Sequence, residues 1–244
     1  MTDATQLKAL LASDAPLTWV LTGDSITHGL LHTRGARNYV DHLHELIRGD
    51  LGRVQDAVIN TGISGWRIPL ILEDFERRVA TWRPDVVTLM IGTNDCSTVW
   101  VDPIVPPAEF GEGIASFVAR VRELGAIPVL QTPPFIDVKH SPDRSRIGEF
   151  AEQIRAVAAT HDVILVDQFR LFAEFSIGTG PGNEGMPWGL LDDAFHPNAA
   201  GHAAVALEVA RVLGLGSVAE SRVLTDLTAR VAVARHPHWG VAQA

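Results

Sequence analysis

Residues 23–27 read Gly-Asp-Ser-Ile-Thr, with Ser25 just past an apolar run. A serine hydroxyl in that place can attack a carbonyl if a base, an orienting carboxylate and oxyanion donors join it. Late in the chain stands Asp193-Ala194-Phe195-His196-Pro197. The His196 imidazole can take a proton near neutral pH. Asp193, three residues earlier, reaches the other ring nitrogen if the segment turns, and Asp192 is the competing carboxylate. The Ser25 N–H, the Gly62 N–H and the Asn94 side-chain amide are candidate oxyanion donors, since glycine lets backbone approach a substrate closely. The bland alternative for Ser25 is the cap of the next helix.

These residues need elements to bring them together. Apolar runs at 17–21, 57–59, 86–91, 127–130 and 163–166 read as strands. The third shows too little alternation to be half exposed. Between the strands lie helical patterns. Phe110, Ile114, Phe117, Val118, Val121 and Leu124 share one face, and Gly125 stops that helix. Ile147, Phe150, Ile154 and Val157 form a second stripe, and 199–213 reads as a helix after the last strand. Such alternation predicts an α/β fold, a parallel sheet covered on both faces. One domain spans 1–244, with its core at about 17–213 and a helical extension at 217–235. Val223, Leu224, Leu227 and Val231 are the apolar side of that extension, which packs on the body or on a second copy as a homo-oligomer.

The bulk properties restrict the partners. The chain has 244 residues, 46% hydrophobic and 20% charged, as expected of a globular protein with a sizeable core. A net charge of −9, with arginines scattered and Lys8 and Lys139 the only lysines, argues against nucleic acid. Cys96 is the single cysteine, so no disulfide framework arises. It reads as a small buried residue rather than a reactive thiol. The start shows no basic n-region or apolar h-region, and no run reaches the ~20 apolar residues of a membrane span. The expected protein is cytoplasmic and membrane-free.

In open α/β sheets, ligands bind beyond the carboxyl ends of the strands. Gly23-Asp24-Ser25 follows the first strand, Asn60-Thr-Gly62-Ile-Ser-Gly65 the second, and Gly92-Thr-Asn94-Asp95 the third. With Asp193-x-x-His196-Pro197, these four blocks in this order resemble the SGNH hydrolases, also called GDSL esterases and lipases. The likeness covers roughly 17–213. It implies a flavodoxin-like three-layer α/β/α sandwich with a five-stranded parallel sheet. It implies Ser25 as nucleophile, Asp193 rather than Asp192 as the acid, and His196 as base. It also implies an oxyanion hole of Ser25, Gly62 and Asn94, and ester or thioester hydrolysis without metal or other cofactor. Ile26 stands where the GDSL acronym has leucine.

Other patterns carry less. Ser64 lacks the G-x-S-x-G elbow of a rival nucleophile. Asp24 and Asp95 read as structural hydrogen-bonders. His28 and His32, and His42 and His44, fit no metal spacing, and residues 41–45 look like the wet face of a helix. Gly180-Pro-Gly-Asn-Glu-Gly185 matches G-x-G-x-x-G in form but joins no strand to a helix. Two long loops, 96–107 and 176–190, border the strand ends. Trp66, Arg67, Trp100 and Trp188 are candidate substrate contacts, and Phe135 is a core or wall residue.

The expected activity is a serine esterase acting on small molecules, with short acyl groups and sugar-like or aryl alcohols, through an acyl-enzyme. Acyl transfer and thioester hydrolysis use the same residues. A non-catalytic binding module would instead show a broken triad.

Overall fold

The apolar runs form five strands: β1 (Thr18–Gly23), β2 (Ala57–Asn60), β3 (Val86–Met90), β4 (Ile127–Gln131) and β5 (Ile164–Val166). In the computed structural model, which describes residues 2–99, 104–177 and 188–234, they make one parallel sheet in the order β2-β1-β3-β4-β5. Of Ser176, Ile177 and Trp188 the backbone alone is described. Every residue of β3 and β4 is buried, as a central parallel strand covered on both faces requires. The outer strands β2 and β5 are only partly buried.

Strand alternation divides the core in two. Trp19, Leu21, Val86, Met90, Ile127 and Val129 face one layer of helices. Val20, Val87, Leu89 and Leu130 face the other. The helices are α1 (Asp3–Leu11), α2 (Ser25–His28), α3 (Tyr39–Glu45), α4 (Ile68–Glu73), α5 (Phe75–Arg78), α6 (Pro107–Glu123), α7 (Ile147–His161), α8 (Gln168–Ile177), α9 (Ala199–Leu213) and α10 (Arg222–Ala234). The first layer takes α1, α3, α8, α9 and α10, and the second takes α4 to α7. This is the expected three-layer sandwich, with the flavodoxin-like strand order. The apolar stripes bury their faces, Phe110, Ile114, Phe117, Val118 and Val121 on α6 and Phe150, Ile154 and Val157 on α7, but Leu124, expected with the first, is exposed because α6 ends before it.

Three expectations need correction. The extension expected at 217–235 is helical only from Arg222, because Ser221 and Asp50 cap it there. The Ser221 Oγ accepts from Leu224 N at 3.0 Å and donates to Asp50 at 2.6 Å, and Asp50 also accepts from Val223 N at 2.8 Å. Its Val223, Leu224 and Leu227 join the first core layer, so that apolar side is packed on the body. Second, the loop expected from residue 176 starts later, since α8 runs through Ile177. Residues 178–187 lie outside the described residues, and with them the Gly180–Gly185 pattern. Third, 41–45 is helical but not wholly wet. His42 is buried, and burial with Arg230 and Arg37 nearby lowers its pKa to about 4. Among the described residues, no helix is long and apolar enough to cross a membrane.

Candidate active site

The strand order reverses between β1 and β3, which opens a crevice at their carboxyl ends. β1 ends on Gly23, at φ +155°, where a Cβ would come within 2.1 Å of the Met90 carbonyl oxygen. Only glycine lets β1 run that close to β3 and still turn into the next helix. Asp24 then caps α2, its Oδ1 accepting from Ile26 N at 2.9 Å. The cap is therefore Asp24, and Ser25 is the first helical residue. Its N–H has no carbonyl to bond within the helix.

His196 arrives on a loop closed at its base. Asp192 N donates to the His196 carbonyl at 2.8 Å, and Leu191 bridges Pro197 in antiparallel fashion. Just behind the loop, Asn198 caps α9 through Ala200 N and Gly201 N, and its amide donates to the Gly189 and Leu191 carbonyls. This anchoring turns His196 toward Ser25. The Ser25 Oγ lies 2.9 Å from His196 Nε2, and His196 Nδ1 lies 2.8 Å from Asp193 Oδ2. Asp193 Oδ1 accepts from Phe195 N at 2.9 Å and His196 N at 2.7 Å. Burial raises the Asp193 pKa, but the bond from His196 and these two backbone donors outweigh it and hold the carboxyl well below the usual range. A charged carboxylate fixes one ring nitrogen as a donor and leaves the other to accept the serine proton.

The candidate oxyanion donors come from the other two strand ends. Gly62 packs tightly against α2: a Cβ would lie 2.6 Å from His28 N and 2.8 Å from Thr27 Cβ. Its N–H donates to the Asn60 Oδ1 at 2.9 Å, while the Asn60 amide donates to the Thr27 carbonyl at 2.7 Å. Asn60 thus straps the glycine segment to α2, and the Gly62 N–H is already engaged by its Oδ1. The Asn94 amide nitrogen donates one hydrogen to the Trp66 carbonyl at 3.1 Å, leaving its second hydrogen for another acceptor.

Beneath the crevice lie two buried carboxyls. Burial pushes both Asp24 and Asp95 up to about 7, against the Ile26 and Ile68 N–H groups that favour their charged forms. Asp95 Oδ1 accepts from Ile68 N at 2.8 Å, which starts α4. The second oxygen of each carboxyl has no partner among the described residues. Both are structural anchors, as expected. Cys96 is buried too, its thiol pushed up to about 12 mainly by that burial.

Four planar groups pack in series beside Ser25, a feature that sequence reasoning did not find. Arg144 Cζ sits 4.0 Å over the Phe195 ring, Phe195 lies 4.4 Å from His196, and His196 lies 3.7 Å from His32 at an interplanar angle of 7°. Arg144, nearly buried, donates to the Thr93 carbonyl at 3.1 Å and to Asp143. His32 Nδ1 lies 3.2 Å from Asp192 Oδ2, and Arg34 Nε donates to Asp192 Oδ1 at 2.6 Å. Donor atoms of His32, Asp193 and His196 all lie within 4.8 Å of one another. The two imidazoles are parallel, however, so their lone pairs point along parallel planes and do not converge on one ion as zinc ligands must.

The proposed substrate contacts divide. Trp66 is half-buried, packs on the second core layer and lies under the Arg78 guanidinium at 5.2 Å. Arg67, also half-buried, precedes α4 and acts on the charge of Asp95. Trp100 and the Trp188 side chain lie outside the described residues. Phe135 packs edge-on against Phe169 at 5.4 Å. Ser64 Oγ lies 3.2 Å from His28 Nδ1, but no acid completes that pair among the bonds of the described residues.

Residues 21–204 match the GDSL-like Lipase/Acylhydrolase family. The acetylxylan esterase of Geobacillus stearothermophilus is 26% identical over 206 residues, which are 79% of this chain and 91% of that protein. A crystal structure of that esterase, Axe2, aligns at TM-score 0.69 and 25% identity, covering 81% of this chain and 94% of its own. The alpha/beta hydrolase LAE5 from the Lake Arreo metagenome aligns at TM-score 0.66 and 26% identity, covering 83% and 98%. The lipase/acylhydrolase of Enterococcus faecalis aligns at TM-score 0.65 and 26% identity, covering 81% and 96%. With three-quarters of its length matched, and with the strand order and blocks that the likeness implies, this chain belongs to the GDSL-like lipase/acylhydrolase family and is a carboxylic ester hydrolase.

Proposed function

We propose that the protein is a serine esterase that cleaves short-chain acyl esters of sugar-like or small aryl alcohols through an acyl-enzyme. The single observation that carries the mechanism is the continuous hydrogen-bond chain from Ser25 through His196 to Asp193. Ser25 Oγ attacks the acyl carbonyl carbon as its proton passes to His196 Nε2. The carbonyl π electrons move to oxygen, and the Ser25 N–H, Gly62 N–H and Asn94 amide receive that oxyanion. Each such donor contributes about 3 kcal/mol in comparable hydrolases. Collapse of the intermediate breaks the ester C–O bond, and His196 gives its proton to the leaving alcohol. Water then attacks the acyl-serine with His196 again as base, releasing the acid and restoring Ser25.

Substrate size is argued from the rim of the crevice. The strand-end segments beside Ser25 are mostly Gly, Thr and Asn, which offer no run of aliphatic side chains for a long acyl chain. Trp66, Arg67, Trp100 and Trp188 are proposed to meet the alcohol side. The likeness to an acetylxylan esterase supports the same direction. A p-nitrophenyl ester series tests it. The expected kcat/KM peaks at acetyl or butyryl, and a steady climb from C2 to C12, at about 0.8 kcal/mol per buried methylene, overturns the small acyl pocket. Product analysis with and without a polyol acceptor separates hydrolysis from acyl transfer.

A further inference from the structure

His32 lies in the loop between α2 and α3, outside every block that names the family although only seven residues after Ser25. Its ring nevertheless covers one face of His196, parallel and 3.7 Å away. Phe195, tilted at 41° and backed by the Arg144 guanidinium, has its ring centroid 4.4 Å from that of His196. A ring held by two such contacts loses freedom to rotate about χ1 and χ2, so its nitrogens stay on the line between Ser25 and Asp193.

The covering ring is itself held. His32 Nδ1 bonds Asp192, Arg34 bonds the other oxygen of the same carboxylate, and Asp193 Oδ2 lies 3.6 Å from His32 Nδ1. Leu31 at φ +67° and Arg34 at φ +49° flank it, two non-glycine residues in the left-handed region, where Leu31 exposes its side chain to solvent. That backbone is disfavoured on its own and is kept where surrounding contacts hold it. A histidine–aspartate pair, His32–Asp192, therefore lies stacked on the pair His196–Asp193.

We propose that His32 is a positioning residue for the esterase reaction, its ring face clamping the His196 imidazole in the orientation that serves Ser25. The proposal rests on the reading of Ser25 and His196 as nucleophile and base. It assigns the effect to the flat face of His32 and not to its hydrogen bond, because Arg34 holds Asp192 independently.

The test compares wild type, His32→Ala and His32→Phe on p-nitrophenyl acetate, with Ser25→Ala as control. Rates are expressed per active site titrated with a fluorophosphonate, so poorly folded material is not counted. His32→Ala is expected to lower kcat by about 10- to 100-fold with KM changed less than about twofold, as misorientation of a catalytic group does. His32→Phe, which restores a flat face without a nitrogen, is expected to recover kcat to within about threefold of wild type. An unchanged kcat in His32→Ala overturns the clamp. So does a rise in KM alone, which would make His32 a substrate contact. A His32→Phe variant as slow as His32→Ala also overturns it, because the bond to Asp192 would then be what matters. Activity surviving in Ser25→Ala would instead defeat the esterase reading itself, a failure that the His32 variants cannot imitate.

Discussion

Asp24 and Asp193 are both linked to Ser25, one as its neighbour in the chain and one through His196, and their surroundings give them opposite characters. Asp24 is fully buried, keeps one oxygen without a partner among the described residues, and is pushed up to about 7 by that burial. The Asp193 side chain is about 40% exposed, but the His196 ring and two backbone donors bond both its oxygens and hold it charged. The buried aspartate shapes backbone by capping α2. The half-exposed one can hold a neighbouring cation. Burial alone does not set the charge of a carboxyl here; what decides is how many donors meet it.

That contrast can be broken most forcefully at the two carboxylates. Asp193→Asn is expected to lower kcat by on the order of 10³–10⁴-fold, since an amide favours the wrong imidazole tautomer and stabilises no imidazolium. Asp24→Asn keeps the acceptor for Ile26 N and should cost less than about tenfold, within the range of a small shift in Ser25. Equal losses at the two positions, in steady-state kinetics, would erase the distinction.

A smaller loss should follow at the rim. Asn94→Ala is expected to lower kcat by about 10²–10³-fold with a lesser change in KM, because its amide acts on developing charge. A KM effect alone would make Asn94 a binding residue.

The comparison also predicts opposite responses of stability to pH. The Asp24 pKa is raised on folding, so the native state takes up a proton between about pH 4 and 7. That contribution to stability is present below pH 4 and is lost as pH rises through 7. Asp24→Asn should flatten this decline, the gap to wild type widening by on the order of a few kcal/mol at most between pH 4 and 8 in urea titrations. Buried His42 and His202 work the other way, with pKa values lowered to about 4 and about 3, and they are common to both proteins. A constant gap would show that Asp24 is charged in the fold at acidic pH. The smallest effect belongs to Arg34, whose side chain is 79% exposed beside Asp192. Arg34→Ala should leave the melting temperature unchanged and alter kcat by less than about threefold.

Much of this was legible in the residues. Long stripes such as Phe110 to Val121 and unbroken strands such as 86–90 state their period plainly. So do Gly23, Gly62 and Gly92, which sit where strands end. The four-residue α2 and α5 carry too little pattern to read, and α10 was misjudged because its start is set by Asp50, far away in the chain. The pairing of Ser25 with His196 could be inferred because both sit in recognisable blocks. His32 could not: a lone histidine between Leu31 and Thr33 gives no local sign that it stacks on His196, since that contact exists only once the β1–α2 end and the loop before α9 meet.

The central claim is that Ser25 is the nucleophile, driven by His196. Intact-mass measurement with peptide mapping, after treatment with a fluorophosphonate, tests it most directly. The predicted result is one adduct per chain, on the peptide containing Ser25, absent in Ser25→Ala and formed on the order of 10²-fold or more slowly in His196→Ala. An adduct on Ser64 or another serine, or labelling of Ser25 at an undiminished rate without His196, would contradict it.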